Sequence, residues 1–121
     1  MLPLDWDKIY PMHRYPIKLM LEAVKDYNVR IICFGSTIKG TATWRSDIDI
    51  AFTTADDSIE LRREVHRILA CTETAEGYPF FDKDIIDTYS IKKGTLLDEI
   101  NKGMLLKDWG WYNVRRTNIV T

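Results

Sequence analysis

The sequence predicts an α/β protein in which a small sheet is covered by helices. Three observations lead there. Short apolar runs rich in β-branched residues alternate with amphipathic stretches of helical period. The order along the chain is α-β-turn-β-α-β-α. No repeat, low-complexity tract or linker divides the 121 residues, so residues 1–121 read as one domain.

Each element follows from its residues. Pro3, Pro11 and Pro16 fall in the first sixteen positions, and Pro16 suits the first turn of a helix. Ile17, Met20, Leu21 and Val24 then recur at i, i+3, i+4 and i+7, which predicts a helix from about Tyr15 to Tyr27. Val29 to Phe34 is apolar, β-branched and ends at Gly35, the pattern of a buried strand. A polar, glycine-punctuated stretch runs from Ser36 to Arg45, and Ile48 to Thr53 reads as the second strand. Asp57-x-x-Glu60 resembles a capping box ahead of Leu61, Val65, Ile68 and Leu69, which predicts a second helix to about Cys71. Gly77 and Pro79 break the chain, and a third strand lies within Phe80 to Ile91. A short helix is expected from Thr95 to Lys102, ending at Gly103. The remainder, with Trp109, Trp111, Tyr112, Arg115 and Arg116, reads as a polar aromatic tail, whose Trp109, Trp111 and Tyr112 either pack over the sheet or form an exposed patch that docks another protein.

Composition excludes several functions. Hydrophobic residues are 45% and charged residues 29%, values of a globular chain rather than a disordered or fibrous one. Lys and Arg total 17 against 18 Asp and Glu, so no global basic field exists to hold long nucleic acid. Cys33 and Cys71 fit no metal or redox spacing and read as small buried hydrophobes. No signal peptide or membrane-spanning run is visible, which makes the cytoplasm the expected compartment.

Chemistry concentrates at one end of the predicted sheet. Gly35-Ser36 follows the first strand, where glycine permits a sharp turn and successive amides beside a hydroxyl can cradle phosphate. Lys39 and Gly40 lie one turn further on. Asp47 and Asp49 flank Ile48, so strand alternation puts both carboxylates on one face. Paired acids repel each other, and a hard divalent cation such as Mg²⁺ removes that repulsion. A third acid, Asp84 or Asp87, sits on the later strand; the two have opposite strand parity, so only one faces the same way as a metal. Three carboxylates from two strands suit a two-metal site for phosphoryl chemistry. His13 and His66 show no spacing for a metal or a general base, and His66 falls on the polar side of its helix.

Gly35-Ser36, ten intervening residues and then Asp47-x-Asp49, set within Ser46-Asp47-Ile48-Asp49-Ile50, resemble the signature of the DNA polymerase beta superfamily of nucleotidyltransferases. The likeness is greatest to the minimal nucleotidyltransferases, and it runs from the helix before Val29 to Gly103. The resemblance implies a small mixed sheet flanked by helices. It implies Gly35, Ser36, Lys39 and Gly40 at the nucleotide and Asp47, Asp49 and a third acid at Mg²⁺. Asp84-Ile85-Ile86-Asp87 has the form of the family's third strand and favours Asp84, although Lys83 stands where the family has a hydrophobic residue. The implied activity is transfer of a nucleoside monophosphate, AMP from ATP, to a hydroxyl. The family also implies a partner, a helical HEPN protein in a toxin–antitoxin pair whose tyrosine accepts the AMP, or else a second copy of the chain that completes the acceptor site. The alternative is a non-catalytic module that keeps the fold and neutralises its partner by contact.

Overall fold

Val29–Phe34 (β1) is the central strand because its residues are apolar on both faces; Arg30 alone is not fully buried. The computed structural model describes residues 1–112, and in it β1 pairs antiparallel with β2 (Ile48–Thr54), from Val29 opposite Thr54 to Phe34 opposite Asp49. Lys83–Asp87 (β3) lies parallel to β2 on the outside. On the other side β1 pairs with β4 (Met104–Asp108), which pairs with β5 (Trp111–Tyr112), both antiparallel. The result is a five-stranded mixed sheet of order β3-β2-β1-β4-β5. A parallel β2–β3 step needs a crossover, and Ile59–Ala70 (α3) supplies it.

The pleat of β1 and β2 divides the core in two. Ile31, Cys33, Ile48, Ile50 and Phe52 face Ile17, Met20 and Leu21 of the helix Pro11–Ala23 (α1) and Val65 and Leu69 of α3. Ile32, Phe34 and Ala51 point the opposite way, toward Ile100 of the helix Thr95–Asn101 (α4). This second face carries a much smaller cluster, because one short helix covers it. Its uncovered end adjoins the turn after β1.

Several expectations are corrected in detail. The first helix begins at Pro11 and ends at Ala23, so Pro16 lies inside it rather than in its first turn. A proline there withholds the N–H that Met12 O would accept, and Tyr78 Oη replaces it, donating to Met12 O at 2.8 Å. The polar stretch after β1 contains a single helical turn, Ser36–Lys39 (α2). Ser58, not Asp57, caps α3: its Oγ accepts from Leu61 N at 3.3 Å, while its own N–H donates to Asp56 Oδ1. Cys33 is buried, and burial pushes its thiol up to about 12; Cys71 is exposed, contrary to expectation.

The largest correction concerns the supposed tail. Residues Met104–Asp108 form an interior strand, and Trp111–Tyr112 adds an edge strand; Arg115 and Arg116 lie outside the described residues. Lys107 disguises β4 because its side chain is buried. Its Nζ donates to Tyr27 O at 2.5 Å, to Val29 O at 3.3 Å and to Trp109 O, tying the entrance of β1 to the exit of β4. Burial lowers the ammonium's pKa from its ordinary value. Lys107→Ala removes the donor and the packed stem and is expected to cost about 2–4 kcal/mol. Urea unfolding checks this: the midpoint should fall with an unchanged slope, and an unmoved midpoint contradicts the assignment.

Candidate active site

The turn at Gly35 brings the end of β1 against the start of β2. Gly35 has φ +78°, and a Cβ built there would lie 2.2 Å from Asp49 Oδ2. Only glycine lets the backbone sit against that carboxylate in this conformation. Ser36 then opens α2, and Gly40, left-handed at φ +78°, ends it. Lys39 closes the same turn, and its exposed Nζ lies 2.7 Å from Glu99 Oε2 on α4.

Two carboxylates, Asp49 and Asp84, meet on the thinly covered face. Asp49 alternates with the buried Ile48 and Ile50. Asp84 is its register partner across the parallel β2–β3 pair. Ile86, two residues on, packs with Ala51 in the smaller cluster, so Asp84 shares the face of Asp49. Asp47 stands exposed just ahead of β2. Burial, then the charge of Asp84, then that of Asp47 push the Asp49 carboxyl up to about 6, with Lys39 opposing them. Asp87 falls on the other face. Its Oδ2 lies 2.7 Å from Arg62 Nε of α3, and its Oδ1 accepts from Tyr89 N, so it is already neutralised and engaged.

Among the described residues no three His, Cys, Asp or Glu side chains form a ready-made metal cage. The donor set still fits a hard divalent cation. It consists of carboxylate oxygens only, and Asp49 is held partly buried beside like charge, a strain that a cation relieves.

Sequence reasoning missed Glu99, which holds Lys39 from sixty residues away, and the pairing of His13 with Thr37. Neither contact leaves a mark in linear spacing. His66 is exposed, as its helix face predicts. Trp44 is also exposed, with the Arg45 guanidinium 4.7 Å over its ring. A cavity of about 250 Å³ opens beside α2, lined in part by Tyr10, Thr37, Gly40 and Ala42. A larger one of about 290 Å³, between Pro16 and the segment 72–83, is lined by none of Asp47, Asp49 and Asp84.

A family model described as "Polymerase beta, Nucleotidyltransferase" matches residues 18–108, well over half of the chain. The match spans the Gly35 turn, both strands that bear the acids, and β4. The chain therefore belongs to the polymerase beta nucleotidyltransferase family, whose general chemistry is transfer of a nucleoside monophosphate. No curated protein matches it. Among the described residues no helix is long and apolar enough to cross a membrane.

The raised Asp49 pKa has a consequence for stability. The folded state holds this proton up to about pH 6, whereas an aspartate in water loses it near 3.8. Folding is therefore opposed by ionisation of Asp49 progressively between these values and fully above them. Asp49→Asn is expected to stabilise the protein by about 1 kcal/mol at pH 7.5, allowing for solvent screening, and to give almost nothing at pH 4. Thermal unfolding of both proteins at the two pH values tests this. A gain equal at both, or a loss at pH 7.5, contradicts it.

Proposed function

We propose that the protein is a Mg²⁺-dependent nucleotidyltransferase that transfers AMP from ATP to a hydroxyl. The observation that carries the reading is the register pair Asp49–Asp84, set against the glycine turn on the open face of the sheet. In this reading the backbone amides at Gly35 and Ser36 and the Ser36 hydroxyl receive triphosphate oxygens. Gly40 lets the chain leave that turn without crowding the phosphates. Lys39 exchanges Glu99 for a phosphate, a modest step because the ion pair is exposed to solvent and screened.

Asp47, Asp49 and Asp84 are the residues that would hold Mg²⁺, in a two-ion arrangement if both positions fill. Bound Mg²⁺ neutralises the triphosphate and acidifies a hydroxyl beside it. Asp84, the exposed member of the register pair, takes the acceptor's proton. The acceptor oxygen bonds to the α-phosphorus while the bond to the departing pyrophosphate breaks, so positioning and charge supply most of the catalysis.

The acceptor we propose is a tyrosine of a helical HEPN partner, with the chain acting as an antitoxin. Support for this comes from the resemblance to minimal nucleotidyltransferases. A second copy of the chain is the other candidate for completing the acceptor site, and the cytoplasm is the proposed location.

Labelled ATP, Mg²⁺ and candidate acceptors test the reaction. Asp49→Asn and Asp84→Asn should each lower transfer by roughly 10²-fold or more. Asp87→Asn, which breaks only the Arg62 pair, should stay within about threefold of wild type while unfolding more easily. Absence of transfer and of Mg²⁺-dependent nucleotide binding overturns the enzyme reading. If Asp47→Ala/Asp49→Ala still neutralises a partner, contact rather than chemistry is the mode of action.

A further inference from the structure

We propose that Arg45, laid on the Trp44 ring, is a further nucleotide-binding residue that takes the pyrophosphate-side oxygens of the triphosphate, with Trp44 as its positioning residue. The inference rests on the nucleotidyltransferase reading of the Gly35 turn and the acids.

The two residues are the central pair of a tight turn. Ser46 N donates to Thr43 O at 2.9 Å and closes it. Thr43 N donates to Ser46 Oγ at 2.9 Å, and Arg45 N donates to Thr43 Oγ1 at 3.2 Å. A backbone tied in this way has little freedom, so the turn presents both side chains from a fixed base. Trp44 is 67% exposed, and Arg45 is exposed as well. The turn stands on the link between α2 and β2, after Gly40 and directly ahead of Asp47. It therefore joins the segment assigned to phosphate to the first of the acids assigned to Mg²⁺.

The pairing of the local cations singles out Arg45. Segments 36–49 and 82–87, which carry the phosphate turn and the acids, contain Lys39, Arg45 and Lys83 as their cations. Lys39 is paired with Glu99, and Lys83 donates to the carbonyls of Leu69, Ala70 and Thr72 at the end of α3. Among the described residues the Arg45 guanidinium has neither an ion pair nor a hydrogen bond, although Asp47 is close in the chain. It rests instead over the Trp44 ring, with Cζ 4.7 Å from the centroid.

A guanidinium stacked by its face keeps its N–H edges free in the plane, the fork that meets two phosphate oxygens at once. A nucleoside triphosphate carries more negative charge than one divalent cation offsets, and its pyrophosphate end gains more as it departs. Exposed side chains reorient within nanoseconds, so Arg45 reaches that end with no change in the backbone.

Binding of a non-hydrolysable ATP analogue, of inorganic pyrophosphate and of AMP to the full chain with Mg²⁺ tests this. Arg45→Gln should weaken the analogue and pyrophosphate about 5- to 10-fold while AMP stays within about twofold. Arg45→Lys, which keeps the charge but not the fork, should fall between. Trp44→Leu should weaken the analogue about threefold, Trp44→Phe should restore most of that, and the double variant Trp44→Leu/Arg45→Gln should be no weaker than Arg45→Gln. Melting temperatures should stay at the wild-type value, because both side chains are exposed. The proposal is overturned by equal losses for AMP, by additive losses in the double variant, or by losses that track a lowered melting temperature. Analogue binding that Arg45→Gln leaves untouched sinks this inference alone, whereas a wild-type chain that binds neither analogue nor pyrophosphate refutes the nucleotide reading itself.

Discussion

The contact between the Gly35 backbone and the Asp49 carboxylate is the constraint on which the site depends. β1 and β2 are paired so that Phe34 lies opposite Asp49, and the chain must leave β1 directly against that side chain. Any Cβ at Gly35 would collide with Asp49 Oδ2. The phosphate-type turn and the acidic strand are therefore pressed together by the sheet itself. The parallel pairing of β2 with β3 places Asp49 beside Asp84 and half out of water, so its charge is costly until a cation is present.

The fold supplies this arrangement by treating the two sheet faces unequally. α1 and α3 bury one face in a large cluster that includes Phe52, Ile48 and Ile50. The other face has only α4 over Ile32, Phe34 and Ala51, and the acids occupy its free end. Alternation assigns roles accordingly. Asp84 joins Asp49 on the open face, whereas Asp87, three residues later, turns toward α3 and is neutralised by Arg62. Lys39 stands between the groups of both signs, paired with Glu99 and felt by Asp49.

Much of this was legible in the sequence because it is local. Period-two alternation around Ile48 and the glycine after Phe34 show the strands, the turn and the face of Asp49 without any long-range information, whereas Asp47 stands just ahead of β2, outside the alternation. The same parity rule stated that Asp84 and Asp87 could not both face one way, although it could not say which did. What stayed hidden depends on distant contacts. β4 reads as polar because Lys107 reaches three backbone carbonyls that no spacing announces. Pro16 reads as a helix start because the donor that substitutes for its missing N–H is Tyr78, far along the chain. Glus are common on exposed helix faces, so Glu99 gives no hint that it faces Lys39.

The most direct test follows the Asp49 side-chain carboxyl by carbon NMR while pH is varied, with and without Mg²⁺. The account predicts a midpoint near 6 in the metal-free protein and a clear fall once Mg²⁺ is added. A midpoint in the ordinary aspartate range that ignores Mg²⁺ would show that the carboxyl is neither crowded by its acidic neighbours nor part of a cation site.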